Sequence, residues 1–233
     1  MPLGAFRLNT ISKALAAASN VIELTFVAAS YANGSLTIAM PSGAAAGDIV
    51  FVVDRLTAQG NIASFRTPTT SGGLSFTAHQ TTSAGSASTF MGVRISSIVL
   101  TAGNLGTIGN LINNVTASAH RTIAILFRPN SAITSVTYTQ TGGESTTGNP
   151  AVQTVSVSSQ PAAAVAMAVY TGQSAVDPRT SGITMSELTD SGVTTFYVKY
   201  KLYTTAESRT NFTVDMDDEG VANLLQSFYV KFN

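Results

Sequence analysis

The chain has 233 residues, a formal net charge of zero, no cysteine and only 10% charged residues. The lack of cysteine excludes disulfides and thiolate metal sites, and the lack of a basic run argues against binding to phosphate backbones. A hydrophobic content of 44% argues against disorder, so we expect an outer surface made largely of uncharged polar residues. Such a surface suits close contact with other protein subunits.

The length is typical of one all-β domain. We expect residues 21–233 to form a single β-sandwich domain, preceded by an N-terminal extension, residues 1–20. Residues 162–170 are the longest apolar stretch, far below the roughly 18 residues of a membrane-spanning helix. The apolar stretch at residues 14–19 is also too short for the core of a signal peptide.

The first residues, 1–13, carry apolar side chains and two cations, with a proline and a glycine that discourage a helix at the start. One interpretation is a loose terminus that packs its phenylalanine on the domain. The other is an arm that docks on a neighbouring subunit, because exposed apolar side chains need a partner. The side chains predicted to make that contact are Leu3, Phe6, Arg7, Leu8 and Ile11.

The central element of the remaining chain is the apolar run IVFVV, residues 49–53, which Asp54 and Arg55 close. Its β-branched and aromatic side chains, and its short length, predict a strand buried on both faces. Residues 120–128 and 162–170 are predicted as two further buried strands. The small side chains of the latter would let a facing sheet approach closely.

The other predicted strands are residues 21–28, 35–40, 74–82, 90–100, 133–139, 152–157, 183–188, 194–203, 211–215 and 224–232. Residues 61–73, 142–150 and 172–182 are predicted loops. Residues 101–118 are predicted to lay a short helix or a flap on the core. No segment has long helical periodicity, so the pattern predicts an all-β fold, an antiparallel β-sandwich of about ten strands.

Catalytic patterns are weak in this sequence. Of the two histidines, His79 is predicted to face solvent, because residues 74, 76 and 78 form the opposite, apolar face, and His120 begins a strand. Neither accompanies a nucleophile-elbow pattern, and the isolated glutamates do not predict glycoside hydrolysis. We therefore expect a protein that is not an enzyme and that needs no cofactor.

Residues 215–220, DMDDEG, place oxygens at alternate positions and a glycine at the sixth, as a calcium loop would. The metal candidates are Asp215, Asp217 and Glu219. The twelfth position, where a bidentate glutamate should lie, is Gln226, and no flanking helices are predicted. The pattern therefore favours a solvated turn between two strands over a metal site.

The strand at residues 194–203 alternates between an apolar face and a face of aromatic and cationic side chains. The second face comprises Tyr197, Lys199, Lys201 and Tyr203. We expect an ordinary exposed sheet face with cross-strand pairs. The alternatives are contact with a protein subunit or stacking on a sugar, and of these two we favour the protein contact.

Two parts of the chain resemble structural proteins of tailed phages, in particular marine and cyanobacterial ones. The opening, MPLGAFRLNTISK, is similar to the start of such proteins. PSGAAAGDIVFVV, with the later segments STFMGVRISSIVL, HRTIAILFR, GNPAVQTVSVSSQPAAAVAMAVY and SFYVKF, resembles a jelly-roll-like virion module. The chain departs from that module in lacking the Trp-bearing loop often seen after the first buried strand; residues 61–68 stand there instead.

The resemblance implies a jelly-roll-like sandwich and a structural, non-enzymatic component of the virion, tail-associated and oligomeric, which docks on other virion proteins through its N-terminal arm. A capsid decoration protein is an alternative. A carbohydrate-binding module for host-surface glycans, acting through residues 61–73 or 142–150, is the rival from another class. A glycan-degrading enzyme would need a cleft with two close acids. No nucleic-acid or membrane partner is expected.

Overall fold

The structure is a computed structural model that describes residues 21–57, 65–84, 90–112, 120–141, 151–172, 175–190, 193–217 and 223–233. Within these ranges all regular structure is β-strand, and every pair of neighbouring strands is antiparallel. The prediction of an all-β, antiparallel fold is confirmed. The predicted arm, residues 1–20, lies outside the described residues.

The strands of the described chain are β1 (Leu24–Asn33), β2 (Ile49–Thr57), β3 (Thr69–Thr70), β4 (Thr77–Ala84), β5 (Met91–Val99), β6 (Ile108–Gly109), β7 (His120–Pro129), β8 (Val136–Gln140), β9 (Ala151–Val155), β10 (Ala163–Gly172), β11 (Asp177–Ser181), β12 (Ser186–Leu188), β13 (Phe196–Leu202), β14 (Phe212–Asp217) and β15 (Asn223–Phe232). The first sheet has the order β1-β7-β2-β5-β4, the second β12-β13-β10-β15-β8 and the third β11-β14-β9. β3 and β6 form a two-stranded ladder.

The first and second sheets pack face to face as a β-sandwich. Phe51 and Phe127 of the first sheet belong to the same buried cluster as Met167, Val169 and Phe228 of the second. Successive side chains of a strand point to opposite faces, so only alternate residues of each strand enter this core. The sandwich architecture of the prediction is therefore present, while the jelly-roll connectivity stays a prediction.

A second core lies between the second sheet and the third. Ala166 and Ala168 of β10 share it with Val214 and Met216 of β14. Ala166 and Ala168 thus face the third sheet, together with the larger Tyr170, whereas Met167 and Val169 face the first sheet. This arrangement agrees with the prediction that small residues on this strand admit a facing sheet.

The outer face of the first sheet is covered by loops. Val50 and Val52 of β2 pack there with Ile38, Ile108 and Leu111. Because Ile49, Phe51 and Val53 enter the sandwich core, β2 is buried on both faces, as predicted. The predicted closure of this strand is wrong, since β2 continues through Asp54 and Arg55 to its end at Thr57.

The turn that leads into β2 explains where that strand begins. Gly47 adopts a positive φ of 89°, a conformation that favours glycine. The next residue, Asp48, accepts a hydrogen bond from the backbone N–H of Ala45 at 2.9 Å and one from Arg128 Nη2 at 2.8 Å. These bonds fasten the turn to β7, the neighbour of β2 in the sheet.

Several local predictions are wrong. The predicted loop 172–182 contains β11, and residues 35–40 form only an isolated bridge at Ile38 in place of a strand. The described part of the predicted helix or flap, residues 101–112, contains β6 and no helix, but it covers the first sheet as the predicted flap would, through Ile108 and Leu111. No helix that could cross a membrane occurs in the part of the chain that the structure describes.

Candidate functional site

One flank of the sandwich is free of charge. β4 is an edge strand of the first sheet and β8 an edge strand of the second, and within the described residues each pairs on one side only. Residues 67–93 and 131–143, the sequence around these strands, contain no Asp, Glu, Lys or Arg. We call β4, β8 and residues 131–135 the uncharged flank. It is the candidate functional site because the cores of protein interfaces are depleted of charge.

A pair of stacked rings joins the two edge strands of the uncharged flank. The ring of His79, on β4, lies parallel to the ring of Tyr138, on β8, with centroids 5.0 Å apart and an interplanar angle of 7°. The other neighbour of Tyr138 is Phe228, at 4.7 Å. The Tyr138 hydroxyl donates to Gln80 Oε1 at 2.8 Å, and burial raises its pKa. With neighbours stacked on its ring, Tyr138 offers little aromatic surface to a sugar.

His79 does not face solvent as predicted; it is half-buried. The register of β4 against β5 shifts between Ala78 and Gln80, so His79 is the extra residue of a β-bulge. A bulge turns a side chain away from the face that simple alternation gives it. His79 Nε2 therefore reaches Ser97 Oγ at 2.6 Å, and burial lowers the pKa of the ring, which favours neutral imidazole.

A cavity of about 320 Å³ lies beside this stack. It is lined by Thr77, His79, Ser97, Ile98, Val99, Ile133, Thr134, Ser135 and Val136. The wall combines branched apolar side chains with hydroxyls and one imidazole, a mixture that suits an apolar group carrying a few polar atoms. The sequence signal that could have located this site is the long run without charged residues.

The pairing of Ser97 with His79 resembles two members of a hydrolytic triad. Ser97 is only 2% exposed, and none of the described residues that line the cavity is a carboxylate that could orient the imidazole. The geometry therefore supports binding more than nucleophilic catalysis.

The aromatic and cationic face of β13 is not the exposed surface that was predicted. Tyr203 is 2% exposed and belongs to the core beneath the third sheet, where burial raises its pKa to about 12. Lys199 Nζ donates to the backbone oxygen of Pro178 at 2.6 Å and lies 3.2 Å from a carboxylate oxygen of Glu187. The prediction fails because β11, which supplies Pro178, was interpreted as a loop.

The other two members of that face keep partial exposure. Lys201 is half-buried and forms an ion pair with Glu207, with Nζ and Oε1 2.6 Å apart. Tyr197 is half-buried and packs against the same core as Tyr203. The face thus makes mainly contacts within the chain, and a contact with another subunit through Tyr197 or Lys201 stays a prediction.

The predicted acidic loop is in part a strand. Asp215 and Asp217 both belong to β14, where Asp215 lies opposite Arg179 of β11. Between them Met216 enters the second core, as the alternation of a strand requires. Glu219 lies outside the described residues. The part of the chain that the structure describes holds no group of three or more His, Asp or Glu side chains placed to bind a metal ion.

The remaining predicted sites are described only in part. The arm residues Leu3, Phe6, Arg7, Leu8 and Ile11 lie outside the described residues, as does the loop 142–150. Of the loop 61–73, residues 65–73 are described, and Phe65 packs over the first sheet at 6% exposure.

Comparisons of the chain with protein families, with curated proteins and with solved structures gave no match.

Proposed function

We propose that this chain is a non-enzymatic structural component of a phage virion, tail-associated and oligomeric. Its sandwich would be of the jelly-roll type, and residues 1–20 would dock on other virion proteins. Two observations support the proposal: the resemblance of the opening and of the buried strands to virion proteins, and the uncharged flank. The flank is the observation that carries it.

The uncharged flank contains two edges of β-sheets, β4 and β8. An edge strand presents unpaired backbone groups, and monomeric proteins commonly protect such edges with charges or proline. Two edges are protected here: β11 contains Asp177, Pro178 and Arg179, and β12 contains Glu187. β4 and β8 contain neither charge nor proline, and neither do the edge strands β1 and β9, but β4 and β8 also contact each other on one flank, where Tyr138 bonds to Gln80. Their composition is that of edges covered by another subunit.

The first experiment measures association. The purified full chain is examined by size-exclusion chromatography with light scattering over a wide range of concentrations. An oligomer supports the proposal, and a strict monomer contradicts its oligomeric part. The matched variant lacks residues 1–20, and it separates assembly through the arm from assembly through the flank.

The second experiment locates the protein. An antibody against the chain is applied to phage particles, and the label is examined by electron microscopy. Label on the tail supports the proposal, whereas label on the head favours the alternative of a capsid decoration protein. Particles without any label would contradict both.

The cavity favours a second candidate, a module that binds host-surface glycans. Hydroxyls of Thr77 and Thr134 and the His79 ring lie in its wall and could receive hydrogen bonds from a sugar. Stacking, which usually accompanies such binding, has little surface here because Tyr138 already stacks between His79 and Phe228. A glycan array tests this candidate, and binding that His79→Ala abolishes would favour it over a purely structural function.

A further inference from the structure

A buried polar cluster lies on the outer face of the first sheet, away from the uncharged flank. Asp54 of β2 lies opposite Thr122 of β7, and His120 lies two residues before Thr122 on the same face. The side chains of Asp54 and His120 are 0% exposed, and Thr122 is 1% exposed. Asp54 is a charged residue in a strand that is buried from Ile49 to Leu56, so it requires polar partners inside the fold.

The contacts around the imidazole are short. His120 Nδ1 lies 2.9 Å from the backbone oxygen of Ser35, and Nε2 lies 3.0 Å from Asp54 Oδ1. Thr122 Oγ1 lies 2.6 Å from the same carboxylate oxygen and 3.0 Å from His120 Nε2. Nε2, Oγ1 and Oδ1 therefore form a closed triangle of three polar atoms.

Counting hydrogens in this triangle gives a definite result. The backbone oxygen of Ser35 can only accept, so Nδ1 of His120 carries the proton of that bond. If Asp54 were ionised and Nε2 bare, the Thr122 hydroxyl would be the only donor for three acceptor contacts. Two contacts near 3 Å would then join lone pairs at side chains that are buried from solvent.

We propose that Asp54 and His120 together bind one additional proton at neutral pH, shared between Nε2 and Oδ1. With that proton, each of the three contacts among Nε2, Oγ1 and Oδ1 contains a hydrogen, either in a direct hydrogen bond or in one branch of a bifurcated hydrogen bond. The pair then has either an imidazolium facing a carboxylate or a neutral imidazole facing a carboxylic acid. Both forms have the same proton count.

The surroundings of the pair contain few other charges. On β5, Arg94 lies opposite Asp54, and both its Nε and Asp54 Oδ2 are buried without a hydrogen-bond partner. Arg94 thus supplies a fixed positive charge on the same face of the sheet as Asp54. Arg55 and Arg121 belong to the opposite face of the sheet, since strand residues alternate.

The described loop over this face, and the segments next to these strands in sequence, contain no titratable side chain. Residues 34–40 pack over the outer face through Ile38 and carry no charge. Residues 58–64, 85–89 and 113–119, which adjoin β2, β5 and β7 in sequence, contain no titratable side chain. The proton count of the cluster therefore depends on Asp54 and His120, with Arg94 as the neighbouring fixed charge.

The Asp54–His120 cluster also attaches residues 34–40 to the first sheet. His120 Nδ1 donates to the backbone oxygen of Ser35, and the backbone oxygen of His120 accepts a hydrogen bond from Gly34 N–H at 2.8 Å. Three residues further on, Ile38 covers the outer core. Loss of the proton would place lone pairs against each other beneath this loop and weaken its attachment.

The test is nuclear magnetic resonance of the full chain, labelled with ¹⁵N in its two histidines and with ¹³C in its aspartates. At neutral pH we expect His120 to show protonated Nε2, or, if the proton lies on oxygen, Asp54 to show the ¹³C shift of a carboxylic acid. His79 is the internal control and should be neutral, because burial lowers its pKa. Bare Nε2 at His120 together with an ionised Asp54 would overturn the proposal.

Two variants sharpen the measurement. Asp54→Asn removes the carboxylate and should leave His120 neutral, with the proton on Nδ1 alone, while the His79 signals stay unchanged. Thr122→Val removes one donor and leaves the Asp54–His120 contact, so the additional proton should remain. If Asp54→Asn does not fold, the unmodified chain still decides the question.

Discussion

The two histidines occupy regions of the molecule that differ in what surrounds the ring. His79 lies on the uncharged flank, where its Nε2 meets the Ser97 hydroxyl and its ring stacks on Tyr138. His120 lies under the loop layer of the first sheet, where its ring nitrogens meet the backbone oxygen of Ser35 and the carboxylate of Asp54. A hydroxyl can donate or accept, whereas a carbonyl and a carboxylate only accept.

This difference in partners separates the chemistry of the two sites. The neutral ring suffices at the flank, because the Ser97 hydroxyl adapts to whichever form of the ring is present. Under the loops neither a carbonyl nor a carboxylate supplies a hydrogen, which is why we propose an additional proton between Nε2 and Oδ1 there. Burial alone therefore does not decide the protonation of a histidine; the hydrogen-bonding capacity of its neighbours does.

The largest expected effect is at the buried pair. Asp54→Ala leaves His120 facing an apolar gap, and we expect the free energy of unfolding to fall by about 3–5 kcal/mol, as for the removal of one partner of a buried ion pair. Urea unfolding followed by circular dichroism measures it, since the chain has no tryptophan. Asp54→Asn is the matched control and should cost less, because it retains the shape. A loss below about 1 kcal/mol for Asp54→Ala would mean that the contacts of Asp54 with His120 and Thr122 do not stabilise the fold.

The flank should respond strongly to loss of its central ring. Tyr138→Ala enlarges the cavity beside His79 and uncovers Phe228, and we expect a loss of about 3 kcal/mol, as for other large-to-small aromatic changes. Tyr138→Phe keeps the stack and removes only the bond to Gln80, at a cost of about 1 kcal/mol. Equal losses for the two variants in urea unfolding would show that the stack contributes little.

The sequence predicted the sandwich well where composition reports burial directly. The runs at residues 49–53, 120–128 and 162–170 are wholly or largely apolar, and all three belong to strands buried in the structure. A strand that must be apolar on both faces has no other stable place than between two layers. These runs therefore predicted position in the fold as well as strand type.

One strand of the third sheet, β11, could not be predicted from its sequence, whereas β9 and β14 overlap the predicted strands 152–157 and 211–215. β11 reads DPRTS, with a proline and two charged residues, a composition typical of a loop. It becomes a strand because β14 supplies the pairing partner, through long-range contacts. Since β11 was missed, the face of β13 that it covers was predicted to be exposed.

The candidate site was also missed, for a different reason. The bulge at Ala78 and Gln80 shifts the face of His79, and no residue in β4 indicates such an irregularity. The polar cluster at Asp54 was missed because Asp54 and Arg55 were interpreted as the end of a strand. Charged residues inside a buried strand are rare, and only the partners on β7 and β10 make them stable.

A smaller effect should distinguish the two histidines by pH. Burial lowers the pKa of His79, so the unfolded chain binds a proton at higher pH than the folded chain does at this ring. The stability that neutral His79 contributes is present above its ordinary pKa of about 6.5 and is lost as the pH falls through the lower value of the folded state. His79→Gln should flatten this part of the stability curve. If the free energy of unfolding depends on pH equally in His79→Gln and in the unmodified chain, other groups cause the loss of stability at low pH.

Lysine substitutions on the edge strands of the first sheet should change the free energy of unfolding least, and one of them should change association most. Ala78 of β4 and Thr25 of β1 are exposed residues on the two edge strands of the first sheet. Ala78→Lys and Thr25→Lys should each change the free energy of unfolding by less than about 0.5 kcal/mol. Only Ala78→Lys introduces a charge into the uncharged flank, where covering it would cost desolvation without an opposite partner. Light scattering should therefore show weaker association for Ala78→Lys alone, and equal association of both variants would remove the flank from the interface.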